Sequence, residues 1–385
     1  MSLPRLAVLC DLVEENWPSM DLVGEMLCSN LRRNHADSIS VTSIRPPMRR
    51  RFTRIAPPTW RSAFNADRLV NRMWDYTRMM HELRGSFDLF HIVDHSYGQL
   101  VNYLPGERSV VTCHDLDAFR CLWDKNGGRK NGVLRMVAKY TLAGLGKAAR
   151  VVCVSNVTRE ELLEHGLQEP ERVVVIPNGV HPACSPEADA NADAVAARLL
   201  GSSNGDAIYI LHVGSTIPRK RVDVLLRTLV SVWNEVPHVR LVRVGGSFTR
   251  EQKRLIDELR LDDSITVLPY LDRKILAAVY RCATLVLQPS EREGFGLPVV
   301  EAMACGTPVV ASDLPVLREV AGDAAVFSAV GDIKVWSESV VQLLNEKVKQ
   351  PEEWNKRKAK GVEQAAKYSW AAYAERMVAL YRQLV

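Results

Sequence analysis

The chain has 385 residues, with 50 Lys and Arg against 45 Asp and Glu, a formal charge of +5, 47% apolar and 25% charged residues. These ordinary values exclude disordered, collagen-like and coiled-coil chains, and so small a charge does not by itself mark a nucleic-acid binder. The length suits two or three domains, and no uncharged apolar run of about 18 residues exists to span a membrane.

The start, Met1 to Asp11, has one Arg and too short an apolar stretch for a signal peptide. It reads as a first strand, and a cytoplasmic protein is expected. The eight Cys include no Cys-x-x-Cys pair and read as reduced, buried apolar residues. Strands are predicted at 6–10, 39–44, 89–93, 110–114, 151–155 and 173–177. Between them lie a helix capped by Asp21, a long one over 60–84, and others near 132–147 and 156–165. The stretch 181–193 has two Pro among small and polar residues and reads as an interdomain linker. Alternation then restarts. Strands are predicted at 208–213, 239–245, 265–268, 285–288, 309–312 and 324–327, with helices at 219–233, 250–260, 272–282 and 298–305. Ser369 is predicted to cap a final helix with Trp370, Tyr373, Met377, Tyr381 and Leu384 on one stripe. Apolar strands alternating with helices imply two doubly wound parallel sheets in tandem, with ligands at the carboxyl ends of the strands and a cleft between the sheets.

Three strand ends carry unusual chemistry. In Gln288-Pro-Ser-Glu-Arg-Glu293-Gly-Phe-Gly-Leu-Pro-Val-Val-Glu301, Pro298 stands where a helix should begin. Gly294 and Gly296 allow close backbone approach, and free N–H groups at 296–299 would form an anion site. Glu293 and Glu301 can reach polyol hydroxyls. After the strand at 208–213, Arg219 and Lys220 place two cations at the start of a predicted helix, where cations are unfavourable unless an anion is present. His114 follows the strand at 110–114, and Asp115-Leu-Asp117 is a short acidic pair that could hold a metal, a match common by chance.

Glu293 and Glu301 with seven residues between them, in Glu-Gly-Phe-Gly-Leu-Pro-x-x-Glu-Ala-Met-Ala, resemble the E-x7-E motif of retaining GT-B glycosyltransferases of family four, the glycosyl transferases group 1. The resemblance covers about residues 205–325 and extends more thinly over the first half. It implies a GT-B fold of two Rossmann-like domains. The first would be an acceptor-binding domain at 1–180, onto which a C-terminal helix at 369–385 packs back. After a linker at 181–193, residues 194–368 would hold the nucleotide sugar and close over it. It further implies a metal-independent, retaining transfer of a hexose, such as mannose or glucose, from a UDP- or GDP-sugar to a sugar or lipid-linked acceptor. Such enzymes serve polysaccharide, lipopolysaccharide or glycolipid synthesis, and no separate cofactor is expected. By that resemblance Glu293 contacts the donor sugar, Glu301 the ribose, Gly214, Arg219 and Lys220 the diphosphate, and His114 the sugar near its reacting carbon. Gly294, Phe295, Gly296 and Leu297 line the donor, and main-chain atoms at Tyr270 and Leu271 hold the base. The catalytic set is then His114, Glu293, Arg219 and Lys220, with no metal ligands.

One departure is that the loop after the first strand, 11–20, lacks the Gly-rich sequence common in that family, so its acceptor contacts do not transfer. A nucleotide-sugar 2-epimerase of the same architecture is the alternative. A Rossmann dehydrogenase is disfavoured because no Gly-x-Gly-x-x-Gly follows the first strand. Ser155 and Asn178-Gly179 read as a helix cap and a turn. The segment 45–54 holds five Arg and no acid, followed by Trp60 and Phe64. It reads as a solvated basic loop or as a patch for acceptor phosphates or anionic lipid at the inner membrane face.

Overall fold

The computed structural model describes residues 3–55, 60–123, 132–201 and 207–385. The chain divides into one compact unit of Met1–Gly179 with Trp370–Val385 and a second of Val180–Ser369. Each is built on a six-stranded, all-parallel sheet.

In the first unit the order in sequence is β1 (Arg5–Leu9), α1 (Pro18–Asn34), β2 (Ser40–Ile44), α2 (Arg61–Val70), a π-turn at Asn71–Asp75, α3 (Tyr76–Leu83), β3 (Leu89–Ile92), β4 (Ser109–Cys113), α4 (Gly132–Leu145), β5 (Arg150–Cys153), α5 (Asn156–Glu164) and β6 (Val173–Val175). The sheet order β2-β1-β3-β4-β5-β6 reverses direction between β1 and β3, and that switch point is where such sheets bind ligands. β1, β3 and β4 are buried along most of their length, as a sheet covered on both faces requires. α1 begins earlier than the sequence suggests, at Pro18, and Asp21 is not its cap but lies in the first turn, paired with Arg45 at 2.7 Å. The single helix expected over 60–84 is three pieces. Asn71 donates from its amide to the Asp67 carbonyl at 2.7 Å and to the Arg49 carbonyl, which ties the π-turn to the basic segment.

The second unit runs α6 (Ala190–Leu200), β7 (Ile208–Val213), α7 (Val222–Trp233), β8 (Val239–Val244), α8 (Arg250–Leu259), β9 (Ile265–Leu268), α9 (Arg273–Cys282), β10 (Leu285–Gln288), α10 (Leu297–Ala304), β11 (Val309–Ser312), α11 (Pro315–Ala321), β12 (Val326–Ser328), α12 (Ile333–Lys349) and α13 (Pro351–Ala365). Its order, β12-β11-β10-β7-β8-β9, is the doubly wound one with its switch point between β7 and β10. The residues 181–193 are not a detached linker but part of this unit. Asp189 caps α6 through Ala192 N–H, and Arg281 clamps Asp193 at 2.5 Å. Val180 bridges to Ser369 and donates to the Tyr368 carbonyl, so the first and last strands of chain in the unit lie side by side.

The chain then returns to the first unit as α14 (Trp370–Tyr381), which packs on α1. Trp370, Tyr373, Met377 and Tyr381 are buried as the stripe predicts, whereas Leu384 lies past the helix. Tyr381 hydrogen-bonds His91 Nδ1 at 2.6 Å, and His91 Nε2 meets Thr112 Oγ1 at 2.7 Å. Burial holds His91 down to about 3, so a neutral imidazole joins α14 to β3 and β4. No helix among the described residues is long and apolar enough to cross a membrane.

Candidate active site

The second unit gathers its functional side chains at the β7/β10 switch point. The expected helix at 219 is instead a 3-10 turn, Pro218–Lys220, followed by Arg221 at φ 47° and then α7. Pro218 fixes the turn, so Arg219 and Lys220 sit ahead of the helix, on the loop, rather than in its first turn. Lys220 Nζ meets Glu293 Oε1 at 2.6 Å, and both side chains are nearly buried, at 11% and 6% exposed. The Gln288 amide and the Ser290 hydroxyl donate to the same oxygen, each at 2.7 Å. The other oxygen, Oε2, faces Arg219 Nη1 at 3.6 Å. Burial alone would push the Glu293 carboxyl up, but Lys220 and Arg219 hold it ionised, down at about 2. Arg219 also donates to the Arg292 carbonyl at 3.0 Å, and Glu291 N–H donates to the Arg219 carbonyl at 2.8 Å, so the two loops are stitched together.

Gly296 caps α10 at φ 97°, a conformation L side chains rarely adopt. The N–H row expected at 296–299 is shorter than the sequence suggests. Pro298 has no N–H, and Val299 donates to the Gly296 carbonyl at 2.9 Å, so of the four positions only Gly296 and Leu297 keep an N–H for a ligand. Gly294 and Phe295 are buried behind them, with Phe295 edge-on to Tyr368 at 5.4 Å. Glu301, one turn into α10, accepts from the Tyr280 hydroxyl at 3.0 Å and lies 3.9 Å from Arg273. Burial raises its carboxyl, against the pull of Arg273 and Tyr280. Gly214 stands at the end of β7 and Tyr270 and Leu271 at the end of β9, with Tyr270 half exposed. The structure therefore assembles Gly214, Arg219, Lys220, Tyr270, Leu271, Glu293, Gly294, Phe295, Gly296, Leu297 and Glu301 on the strand-end side of one sheet.

His114 lies in the first unit at the end of β4. Its Nε2 shares a 2.8 Å hydrogen bond with the Val93 carbonyl, and its backbone N–H donates to His95 Nδ1. Burial lowers its pKa, with Asp94 pulling the other way. Around it is a polar cluster that the motif reading passed over: Asp11 after β1, Asp94 and His95 after β3, and Arg72. Asp11 is buried with no hydrogen-bond partner on either oxygen, and burial together with Asp94 and Glu15 pushes its carboxyl well up. Arg72 lies 4.0 Å over the Tyr97 ring and bonds the Ser96 carbonyl. The signal for these residues was position: each carboxylate directly follows a buried strand. Asp117 is taken by Arg120 at 2.7 Å, and Asp115 accepts from the Asp117 N–H. Among the described residues no group of three His, Cys, Asp or Glu is arranged to hold a metal ion. Ser155 caps α5 through the Thr158 N–H.

Two family models match the chain. Glycosyl transferases group 1 covers residues 201–361, and Glycosyltransferase Family 4 covers 25–183. The O-antigen chain mannosyltransferase B of Escherichia coli is 28% identical over 80% of this chain and 79% of its own length. The D-inositol 3-phosphate glycosyltransferase of Thermobispora bispora is 31% identical over 80% of this chain and 73% of its own. In fold, the sucrose-phosphate synthase of Thermosynechococcus elongatus superposes over 99% of both chains with a TM-score of 0.74 at 21% identity.

Proposed function

The chain belongs to the group 1 glycosyltransferases of the GT-B fold, and from that premise we propose that it moves a hexose from a nucleoside diphosphate sugar to an acceptor hydroxyl, with retention at the anomeric carbon and without a metal ion. The observation that carries this reading is the Lys220–Glu293 pair at the β7/β10 switch point. Three donors converge on Glu293 Oε1, so Oε2 is the oxygen turned to a sugar hydroxyl. An ammonium has three donors, and Glu293 takes one from Lys220, which leaves two for phosphate oxygens.

In the transfer the bond from sugar C1 to the β-phosphate oxygen breaks, and a bond from C1 to the acceptor oxygen forms on the same face. The acceptor's proton passes to the departing diphosphate. Charge grows on that diphosphate, and Arg219, Lys220 and the N–H groups of Gly296 and Leu297 are assigned to stabilise it more in the transition state than before it. Gly214 admits the phosphates to the backbone, Glu301 takes the ribose hydroxyls, and main-chain atoms at Tyr270 and Leu271 take the base. His114 is assigned to the sugar near C1. The names of the two relatives support an acceptor that is a growing saccharide or a phosphorylated polyol, and the first supports mannose as the hexose; glucose as the other hexose and UDP or GDP as the carrier are part of this reading by the motif's resemblance alone.

The test is a panel of nucleotide sugars offered with saccharide and phosphorylated acceptors, in excess EDTA, with proton NMR of the first product. Transfer that survives EDTA and keeps the donor's anomeric configuration is expected. Activity lost to EDTA and restored by Mn²⁺ would turn attention to Asp115 and Asp117, and an inverted product would overturn retention.

An anionic lipid surface is the further partner we assign to the first unit. The basic segment is less bare than its sequence implies. Arg45 pairs with Asp21, Arg51 pairs with Asp75 at 2.7 Å, and Asp67 accepts the N–H groups of Arg51, Phe52 and Thr53. Arg49 lies 3.6 Å from the same Asp75 yet is 75% exposed, and Ile55, Trp60 and Trp74 stand out from the same unit. Anionic vesicles at low salt should bind the protein, and Arg49→Ser with Arg50→Ser and Trp74→Ser should release it, since each cation near such a surface is worth about 1 kcal/mol. Vesicles ignored by the unaltered protein would remove the membrane from this reading.

A further inference from the structure

His212 and Arg243 are register partners on β7 and β8, one residue from the end of each strand, and both are fully buried. Arg243 reaches upward from the sheet into the strand-end loops. Its Nη1 donates to the Gly246 carbonyl, and its Nη2 donates to the Gly214 carbonyl at 2.9 Å. The guanidinium lies 4.9 Å from the centre of the Phe248 ring, and Nε has no partner. The ring of His212 lies beneath Gly214, where a methyl group on that glycine would come within 3.4 Å of it, and neither ring nitrogen has a hydrogen-bond partner.

A buried guanidinium is normally matched by a carboxylate, because an unmatched charge in a protein interior is costly. Arg243 forms no ion pair among the described residues, and what meets its guanidinium is two main-chain carbonyls and the Phe248 ring. Burial lowers its pKa to about 10, which still leaves it charged at neutral pH. His212 supplies no negative charge either: burial, then Arg243 and Lys220, hold its pKa down to about 3, so its imidazole is neutral. The sheet thus carries an unbalanced positive charge directly under the two glycine loops of the site.

We propose that Arg243 is a positioning residue of the donor subsite, which fixes the Gly214 and Gly246 loops through their carbonyls and whose unmatched charge is balanced when a nucleoside diphosphate binds at the strand ends. This rests on the nucleotide-sugar reading above. The Gly245 N–H donates to the Leu268 carbonyl and the Gly214 N–H to the Val244 carbonyl, so the strand-end turns of β7, β8 and β9 form one hydrogen-bonded layer with Arg243 at its base. His212 fills the space beside it without competing for the charge.

The full chain is titrated calorimetrically with UDP, GDP, ADP and TDP, and then with the nucleoside of whichever binds best. Arg243→Met and Arg243→Lys are compared with it, and the melting temperature of each protein is read without ligand. Arg243→Met is expected to weaken the diphosphate by about ten-fold or more, the worth of one lost charge-assisted interaction, while nucleoside binding changes little. Its melting temperature without ligand weighs the charge taken out of the interior against the Gly214 and Gly246 carbonyls left without their donor, so it checks that the variant folds and does not report the role of the charge. Arg243→Lys should keep most of the diphosphate affinity. A residue that merely braced the fold would leave diphosphate and nucleoside weakened equally or not at all, and that result overturns the proposal. Should the Met variant not fold, the Lys variant decides: selective retention of the diphosphate supports the role of the charge, and diphosphate and nucleoside weakened alike overturns it. If the unaltered protein binds none of the four diphosphates, the donor reading itself fails, independently of any variant.

Discussion

Lys220→Ala should lower turnover by about 100-fold or more, since loss of one preorganised donor to a developing oxyanion costs about 2.7–4 kcal/mol. The structure adds a second consequence. Lys220 and Glu293 form a pair that is nearly sealed from water, and removing one partner of such a pair costs about 3–5 kcal/mol of stability because the other charge is stranded. Arg219, 3.6 Å from the other carboxylate oxygen, remains and should keep the loss toward the lower end. The pH dependence follows from the sign of the shift. Glu293 titrates at about 2 in the folded protein against 4.5 ordinarily, so its stabilisation is fully present above about 4.5 and is lost as pH falls toward 2. In Lys220→Ala the burial that pushes the carboxyl up is opposed by Arg219, Ser290 and Gln288 without the ammonium, so the stability gap between variant and parent should be widest above pH 4.5 and close as pH falls toward 2. Adding Glu293→Gln should restore stability without restoring turnover, which separates the two consequences. A folded Lys220→Ala protein with near-normal turnover would remove Lys220 from the chemistry.

Gly245→Ala is the second large effect expected. Gly245 sits at φ 106°, and a Cβ there would stand 2.8 Å from the Gly214 carbonyl oxygen and 3.5 Å from the Tyr270 ring. The first obstacle is backbone, which cannot turn aside as a side chain would. Holding a non-glycine residue in such a conformation costs about 1–3 kcal/mol before the contact is counted. The strained turn is one edge of the diphosphate site, so the variant should melt lower and show little thermal shift with nucleoside diphosphate. Gly246→Ala is the matched control. Its φ is 53° and nothing lies within 4 Å of the added methyl, so only the left-handed backbone cost of about 1–2 kcal/mol applies. Equal nucleotide-induced shifts in Gly245→Ala and the parent would mean that the close approach of these two loops does not shape the site.

Much of the second unit was legible from its residues. Strands β7, β9, β10 and β11 fall where short β-branched runs predict them, and β10 and β11, buried along their whole length, are apolar but for their last residue, as a strand covered on both faces requires. The segment from Gln288 to Glu301 was legible for a different reason: Gly296 and Pro298 are backbone devices whose effect is local, so the loop and helix start follow from residue type alone. The turn ahead of α7 was less so. Residue type sets no boundary between Arg219 and Val222, and only the left-handed Arg221 reveals where the helix begins.

What the sequence determined by itself is the class of fold, the positions of the strand ends, and the glutamates, cations and glycines that such ends present. Those depend on periodicity and on local backbone preference, which act over a few residues. Only the tertiary structure decided which of these groups meet. Lys220 and Glu293 are 73 residues apart and become a 2.6 Å pair because β7 and β10 are neighbours at the switch point, an order set by how the sheet is wound. The fate of the Arg-rich segment was decided in the same way. Its sequence holds no acid, yet Asp21, Asp67 and Asp75 reach it from α1, α2 and the π-turn, where helix spacing turns them toward it. His212 and Arg243 carry no motif at all. Their burial, and the charge left unmatched between them, exist only because β7 and β8 pair in register and enclose side chains that a strand pattern would have placed as ordinary polar residues.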